Sequence, residues 1–279
     1  MHKVNNMLCF PNAKINIGLN IIERRPDHYH NIETVFYPIP LTDILEIIKN
    51  DHAAGEKAKF ISTGINIPGE PGCNLCVKAY TLLDKDYNLP PVKIHLHKII
   101  PTGAGLGGGS ADGAFTLSLL NRLFELNLTN EQLIRYAENL GSDCPFFIIN
   151  KPAFGTEKGN RLQNIGLNLS AYYFVLIKPL VFIGTAEAYK GVMPFKPEKS
   201  VDMLIGLPLN QWKDMVINDF EKSIFPNHPV IKEIKDELYQ AGALYASMTG
   251  SGSAVYGIFE TKVNFKSRFE KEFYWEDYL

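Results

Sequence analysis

No apolar run in this sequence is long enough to span a bilayer as a helix. The opening residues Met1-His2-Lys3-Val4-Asn5-Asn6 also lack the extended apolar core of a secretory signal. A cytoplasmic location with no membrane partner is therefore expected. Cysteine is scarce. Cys9, Cys73, Cys76 and Cys144 are too few and too irregularly spaced for a disulfide framework in a chain of 279 residues. Cys73-x-x-Cys76 has no second pair, and His28 and His30 are remote in sequence. A loop thiol and a buried helix thiol are expected there rather than zinc. A large excess of either charge is missing too: the net charge is −2, which provides no basic field for nucleic acid. No internal repeat of solenoid period is present.

What remains is an ordinary soluble composition, 46% apolar and 21% charged, in a chain long enough for one large or two moderate domains. One stretch stands apart. Pro101-Thr102-Gly103-Ala104-Gly105-Leu106-Gly107-Gly108-Gly109-Ser110-Ala111-Asp112 carries five glycines within residues 103–109, between a strand-like run and a helix-like run. Glycine lacks Cβ, so such a loop can adopt φ > 0 and turn several backbone N–H groups toward one point. Those groups, with the dipole of the helix that follows, suit a phosphate.

The flanking pattern is mixed α and β. From Pro11 to Leu19, Ala13, Ile15, Ile17 and Leu19 alternate with Asn12, Lys14, Asn16 and Gly18, predicting a half-buried strand with Lys14 and Asn16 on one face. That face is either solvated or functional. Arg24 to Asn31 reads as a turn around Pro26-Asp27, followed by strands over 33–37 and 43–49. Residues 50–58 form a polar connection, and Asn66 to Gly72 is irregular. Asn74 caps a helix. Val92, Ile94 and Leu96 alternate with Lys93, His95 and His97, as in an antiparallel sheet with one wet face. Behind the glycine loop a long helix is capped near Ser110. Thr129-x-x-Gln132 is a capping box for a second helix that stops at Gly141. Asp143, before Cys144-Pro145, is either a helix cap or a reacting carboxylate. Further on come a strand over 172–178, a short helix near Thr185–Tyr189, a Pro- and Lys-rich surface connection over 192–199, helices near 218–221 and 226–238, and a strand over 254–259. The last twenty residues show no motif.

Gly103-x-Gly105-x-x-Gly108 fits the dinucleotide fingerprint, with Glu125 near the expected acidic position. The preceding strand alternates, however, whereas a central Rossmann strand is apolar on both faces. A Walker A loop needs a lysine where Ser110 follows Gly109. H-R-D and D-F-G, which a protein kinase needs, are absent.

The glycine loop resembles the central motif of the GHMP small-molecule kinases, and two more of their motifs appear in order. Pro11-Asn12-Ala13-Lys14-Ile15-Asn16-Ile17-Gly18-Leu19 resembles the N-terminal one, and Thr249-Gly250-Ser251-Gly252-Ser253-Ala254 the C-terminal one. The likeness runs further, to the members that act on a cytidyl diphosphate. Arg24 to Thr34 is similar to their R-x-D-G-Y-H-x-x-x-T, and Leu140 to Phe147 to their L-G-x-D-V-P-F-F. His28 stands in place of a usual Gly, Ala111 of a common Ser and Gly113 of a common Ala.

The resemblance implies an α+β, two-domain GHMP kinase fold. An ATP-binding domain over 1–155, like ribosomal protein S5 domain 2, would precede a ferredoxin-like substrate-side domain over 156–279, with the active site in the cleft between them. It implies ATP-dependent phosphorylation of the 2-hydroxyl of 4-diphosphocytidyl-2-C-methyl-D-erythritol, with Mg²⁺ carried on ATP. Asp143 would be the base and Lys14 its ion-pair partner and the stabiliser of phosphoryl charge. Pro101, Gly103, Ala104, Gly105, Leu106, Gly107, Gly108, Gly109 and Ser110 would hold ATP, Ser110 also helping with the metal. Asn16, Tyr29, His30, Tyr189, Thr249 and Gly250 would surround the substrate. Tyr29 and Tyr189 would stack on the base and His30 would bond its polar edge. Tyr189 also reads as a packed helix-start aromatic. Partners are small molecules, and the chain is expected as a monomer or weak homodimer. A homoserine or mevalonate type of kinase is the alternative, which Tyr29-His30 counts against. A non-catalytic nucleotide-binding relative is a further one, which the presence of both Lys14 and Asp143 disfavours.

Overall fold

The structure, a computed structural model, describes residues 6–50 and 56–279. The polar connection expected over 50–58 therefore lies mostly outside the described residues. In chain order come β1 (Asn6–Cys9), β2 (Asn12–Arg24), β3 (His30–Thr42), β4 (Ile44–Lys49), β5 (Ala58–Gly64), α1 (Leu75–Tyr87) and β6 (Val92–Lys98). Helices α2 (Gly108–Leu123), α3 (Asn130–Glu138) and α4 (Cys144–Ile149) follow, then β7 (Ala153–Thr156), β8 (Arg161–Asn164) and β9 (Tyr173–Lys178). The chain finishes with α5 (Thr185–Lys190), α6 (Val201–Leu204), α7 (Phe220–Ile224), α8 (Pro229–Gln240), β10 (Tyr245–Met248), β11 (Val255–Phe259) and β12 (Phe273–Tyr278).

These elements form two compact units that interleave along the sequence. The first comprises Met1–Ala13, Leu41–Thr102 and Gly107–Lys151, and the second Lys14–Pro40, Gly103–Leu106 and Pro152–Leu279. Even the glycine loop is divided between them.

In the first unit the sheet order is β1-β4-β6-β5. β4 runs antiparallel to β1 and β6, but β5 is parallel to β6. The sheet is thus mixed rather than antiparallel, because α1 is a crossover that returns the chain in the same direction. β6 has the expected alternation, with Val92, Ile94 and Leu96 buried and Lys93 exposed. α2 begins two residues before Ser110, because Gly107 at φ 68° serves as its cap. Gly113 has a packing reason: a Cβ there would sit 3.0 Å from the Leu75 Cβ of α1. Ala111 is fully buried, so the side chain at that position faces the interior rather than a ligand. The α3 capping box forms as expected, with Thr129 N–H donating to Gln132 Oε1 at 2.9 Å. The helix stops at Glu138 with Asn139 as its cap, before Gly141.

In the second unit one sheet is ordered β2-β3-β7-β8 and another β10-β11-β9-β12. β2 is not half-buried. Both of its faces are covered, and Lys14 and Asn16 are each 3% exposed. Its outer edge is closed by the segment before α7: Leu19 N–H donates to Ile217 O at 2.9 Å, and Asp219 N–H to Leu19 O at 2.8 Å. The other sheet is antiparallel throughout, and α8 lays Ile231, Ile234 and Leu238 into a shared core with Ala246, Val255 and Phe259. Read from β12, its order is last, first, third, second, the ferredoxin-like arrangement. The second helix of that arrangement is replaced by turns over 260–272. Among the described residues no helix is long and apolar enough to cross a membrane. The cysteines are free, Cys73 exposed and Cys76 buried.

Candidate nucleotide and substrate site

The glycine loop earns its composition residue by residue. Gly103, Gly105 and Gly107 have φ of 63°, 75° and 68°, a region that costs other residues about 1–2 kcal/mol. At Gly105 space is closed as well, since a Cβ would lie 2.0 Å from Thr249 O. A Cβ on Gly103 would meet the Phe182 ring at 2.6 Å. Between them Ala104 and Leu106 point inward, 2% and 1% exposed, and anchor the loop. Gly107, Gly108, Gly109 and Ser110 then open α2, whose first-turn N–H groups have no partner within the helix. Pro101, leading in, is buried.

In the second unit, residues of the three family motifs converge. Lys14 Nζ donates to Asn16 Oδ1 at 2.5 Å and to Gly105 O at 3.1 Å. Thr249 Oγ1 donates to the same Gly105 O at 3.1 Å and accepts from Asn16 N–H at 3.0 Å. Lys14 N–H donates to Leu106 O at 3.0 Å. Gly250, at φ 55°, lies against Asn16 and Gly105. Two residues given no role from the sequence complete the cluster. Thr34 Oγ1 accepts from Asn16 Nδ2 at 3.0 Å and donates to Gly18 O at 2.5 Å. Asn218 Nδ2 donates to Met248 O at 2.8 Å and Gly250 O at 2.9 Å, bracing the C-terminal loop. Thr34 ends the Arg24 to Thr34 stretch that resembles R-x-D-G-Y-H-x-x-x-T. Asn218 carried no signal, being one polar residue before a short helix.

In the first unit, Asp143 occupies the position before α4 but has helical φ and ψ, and its side chain makes no capping bond to that helix. Capping is therefore not its task. Burial pushes the neighbouring Cys144 thiol up to about 12, the Ser110 hydroxyl opposes this by hydrogen bonding, and the Asp143 carboxylate adds to the rise. Ser110 and Asp143 thus both border Cys144, which stays an unreactive thiol.

The Arg24 to Asn31 turn is held by Arg25 N–H donating to Tyr29 O at 2.8 Å and by the Arg25–Asp27 ion pair at 3.2 Å. His28 adopts φ 66°, so it takes the left-handed conformation that the usual glycine would supply. Tyr29 is 61% exposed, with Lys158 Nζ 4.8 Å from its ring centroid. His30 stacks on Tyr189 at 4.6 Å and 14°, and Tyr189 meets Phe220 edge-on at 4.8 Å. Tyr189 is therefore both a packed aromatic and one half of a stack. Burial, reinforced by the Arg24 charge, lowers the His30 pKa and keeps its imidazole neutral at pH 7.

The first unit also holds a cavity of about 270 Å³, lined by Phe60, Ile67, Pro68, Asn74, Leu75 and Gly109 among others. It borders the start of α2. The sequence of 66–72 shows only an irregular stretch, since apolar loop residues look the same whether they face a core or a ligand.

The GHMP kinases N terminal domain family matches residues 74–151, and the GHMP kinases C terminal family matches 203–274. The chain belongs to the GHMP kinases. It is 54% identical over 271 residues to a 4-diphosphocytidyl-2-C-methyl-D-erythritol kinase of Bacteroides fragilis, covering 94% of this chain and 97% of that one. A solved 4-(cytidine 5'-diphospho)-2C-methyl-D-erythritol kinase superposes with a TM-score of 0.81 at 29% identity, over 97% of this chain and 98% of the other. A homoserine kinase of Cytophaga hutchinsonii superposes with a TM-score of 0.64 at 14% identity, over 99% and 95%, which is a likeness of fold alone.

The crowding at Gly105 makes a specific demand. Gly105→Ala should lower stability in urea unfolding by at least about 2 kcal/mol. Gly109→Ala, whose Cβ meets nothing within 4 Å, should stay within about 0.5 kcal/mol of the parent. Equal stability of the two variants would contradict the close approach.

Proposed function

We propose that the protein transfers the γ-phosphoryl group of ATP to the 2-hydroxyl of 4-diphosphocytidyl-2-C-methyl-D-erythritol, a step of non-mevalonate isoprenoid precursor synthesis. The observation that carries this reading is the convergence of Lys14, Asn16, Gly105 and Thr249, from three separate motifs, in one hydrogen-bonded cluster. The 54% identity to a kinase of that name supports the choice of substrate.

Phosphoryl transfer to an alcohol needs positioning and charge stabilisation more than covalent chemistry. The amides from Gly103 to Ser110 cradle the phosphates of ATP. The cavity beside Gly109 takes the nucleoside end, having a mostly apolar lining with Ser62, Glu70 and Asn74 as polar groups and lying next to the phosphate loop. Asp143 accepts the proton of the attacking hydroxyl. Lys14 stabilises the negative charge that spreads over the transferring group, and its bonds to Asn16 and Gly105 hold the ammonium in one place. Ser110 would offer a protein oxygen to a magnesium ion carried on ATP, which would neutralise part of the phosphate charge.

For the cytosine, Tyr29 and Tyr189 supply the two stacking faces and His30 the polar edge. The base exchanges one ring for another on Tyr189, taking the face on which His30 stacks. A neutral imidazole has one donor and one acceptor nitrogen, which suits a base edge carrying both an amino group and ring acceptors. Thr249 and Gly250 shape the backbone beside the substrate's phosphates.

Asp143→Asn should leave ATP affinity within about threefold while turnover falls by roughly 10³-fold. Turnover near the parent's would remove Asp143 from the role of base. His30→Ala should raise KM for the cytidyl substrate about tenfold, the worth of one lost bond, with kcat little changed. Because burial and Arg24 both depress the His30 pKa, the parent's KM should be flat through neutral pH. It should rise only below the ordinary imidazole value of about 6.5. In His30→Ala that acid rise should vanish; an unchanged acid limb in the variant would assign it to another group.

A further inference from the structure

The charged groups that this reaction leaves unused are gathered in one place in the first unit. Lys98 ends β6 and is 3% exposed. Its Nζ donates to Asp43 Oδ2 at 2.5 Å and to Asp112 Oδ2 at 2.8 Å. Asp43 and Asp112 are themselves 0% and 2% exposed. The second oxygen of Asp43 accepts two backbone N–H groups, from Ile99 at 2.6 Å and Ile100 at 2.9 Å. Those are the two residues that lead into Pro101. Asp112 belongs to the opening turns of α2, where the glycine loop ends. The start of that helix also rests on the ammonium, since a Cβ on Gly108 would lie 2.9 Å from Lys98 Nζ.

As a device for stability this cluster is poor. Three buried charges lose their hydration, and an apolar trio of similar volume could fill the space as well. Two carboxylates to one ammonium leave an excess negative charge, and Asp112 Oδ1 has no hydrogen-bond partner. Burial pushes the Asp112 carboxyl up to about 7, with Lys98 pulling it down and Asp43 pushing it up. What the cluster does achieve is geometric. Asp43 grips the chain as it enters the loop, Asp112 grips it as it leaves, and Lys98 ties the two together.

We propose that Asp43, Lys98 and Asp112 are positioning residues for the nucleotide, a buried ionic clamp that fixes both ends of the glycine loop before ATP arrives. The inference rests on the reading that Gly103 to Ser110 cradle the ATP phosphates. Glycine-rich backbone has more conformational freedom to lose than any other. Without the clamp, ordering the loop would be charged against ATP binding. Affinity for the alcohol substrate would be untouched.

The test compares dissociation constants for MgATP and for the cytidyl alcohol by calorimetry. Lys98→Met should weaken MgATP about tenfold or more and leave the alcohol within twofold. Asp112→Asn keeps an acceptor for Lys98 and should stay within threefold for both ligands. Should Lys98→Met fail to fold, Lys98→Met/Asp112→Asn, which removes a carboxylate charge along with the ammonium, takes its place with the same expectation. Unchanged MgATP affinity, or equal weakening of both ligands, overturns the clamp. The parent protein offers an independent reading. Amide exchange at Ile99 and Ile100 should be slow without nucleotide and little changed by MgATP, and fast exchange in the free protein overturns the proposal. If the parent itself does not bind MgATP, the cradle reading fails instead.

Discussion

The hydrogen-bonded cluster of the second unit turns on one carbonyl. Gly105 O accepts from Lys14 Nζ and from Thr249 Oγ1, so an N-terminal strand, the glycine loop and a C-terminal loop meet at a single oxygen. The meeting is close enough to forbid any side chain at Gly105, whose Cβ would lie 2.0 Å from Thr249 O. A Walker A loop carries its cation directly after the glycines, whereas Lys14, on β2, reaches this loop from a distant part of the sequence.

The fold and the loop were legible for different reasons. Hydrophobic period located α1, β6, α2 and β9, and polar side chains at helix starts marked Asn74 and Thr129 as caps. β2 looked half-buried because Lys14 and Asn16 share a face, yet both are covered. Polarity at alternate positions reads as solvent exposure, and only tertiary structure reveals the hydrogen bonds that make a buried polar face tolerable. β12 left no trace in the sequence because none of its residues is fully buried and its aromatics lie on both faces. The direction of β5 was equally hidden, since pairing sense is set by the crossover helix rather than by either strand.

The site shows the same division. The motif residues are conspicuous in the sequence because each carries unusual chemistry in a short window. Asp43, Lys98 and Asp112 were not, because three scattered charges declare nothing until β6 and α2 bring them together. The departures from the family pattern also find their reasons in the structure. His28 takes up the φ > 0 of the glycine it replaces, Gly113 lets α1 and α2 approach, and Ala111 is buried in the interior.

The central claim is that this site joins ATP chemistry to a cytidyl diphosphate. ADP release, coupled to a spectroscopic readout, should be measured with 4-diphosphocytidyl-2-C-methyl-D-erythritol, homoserine and mevalonate in parallel. The account predicts a kcat/KM for the cytidyl substrate at least about a hundredfold above either of the others, because polar groups arranged for the base stay unpaired without it. Comparable or faster turnover of homoserine or mevalonate, or no ADP release with any of the three, would contradict it.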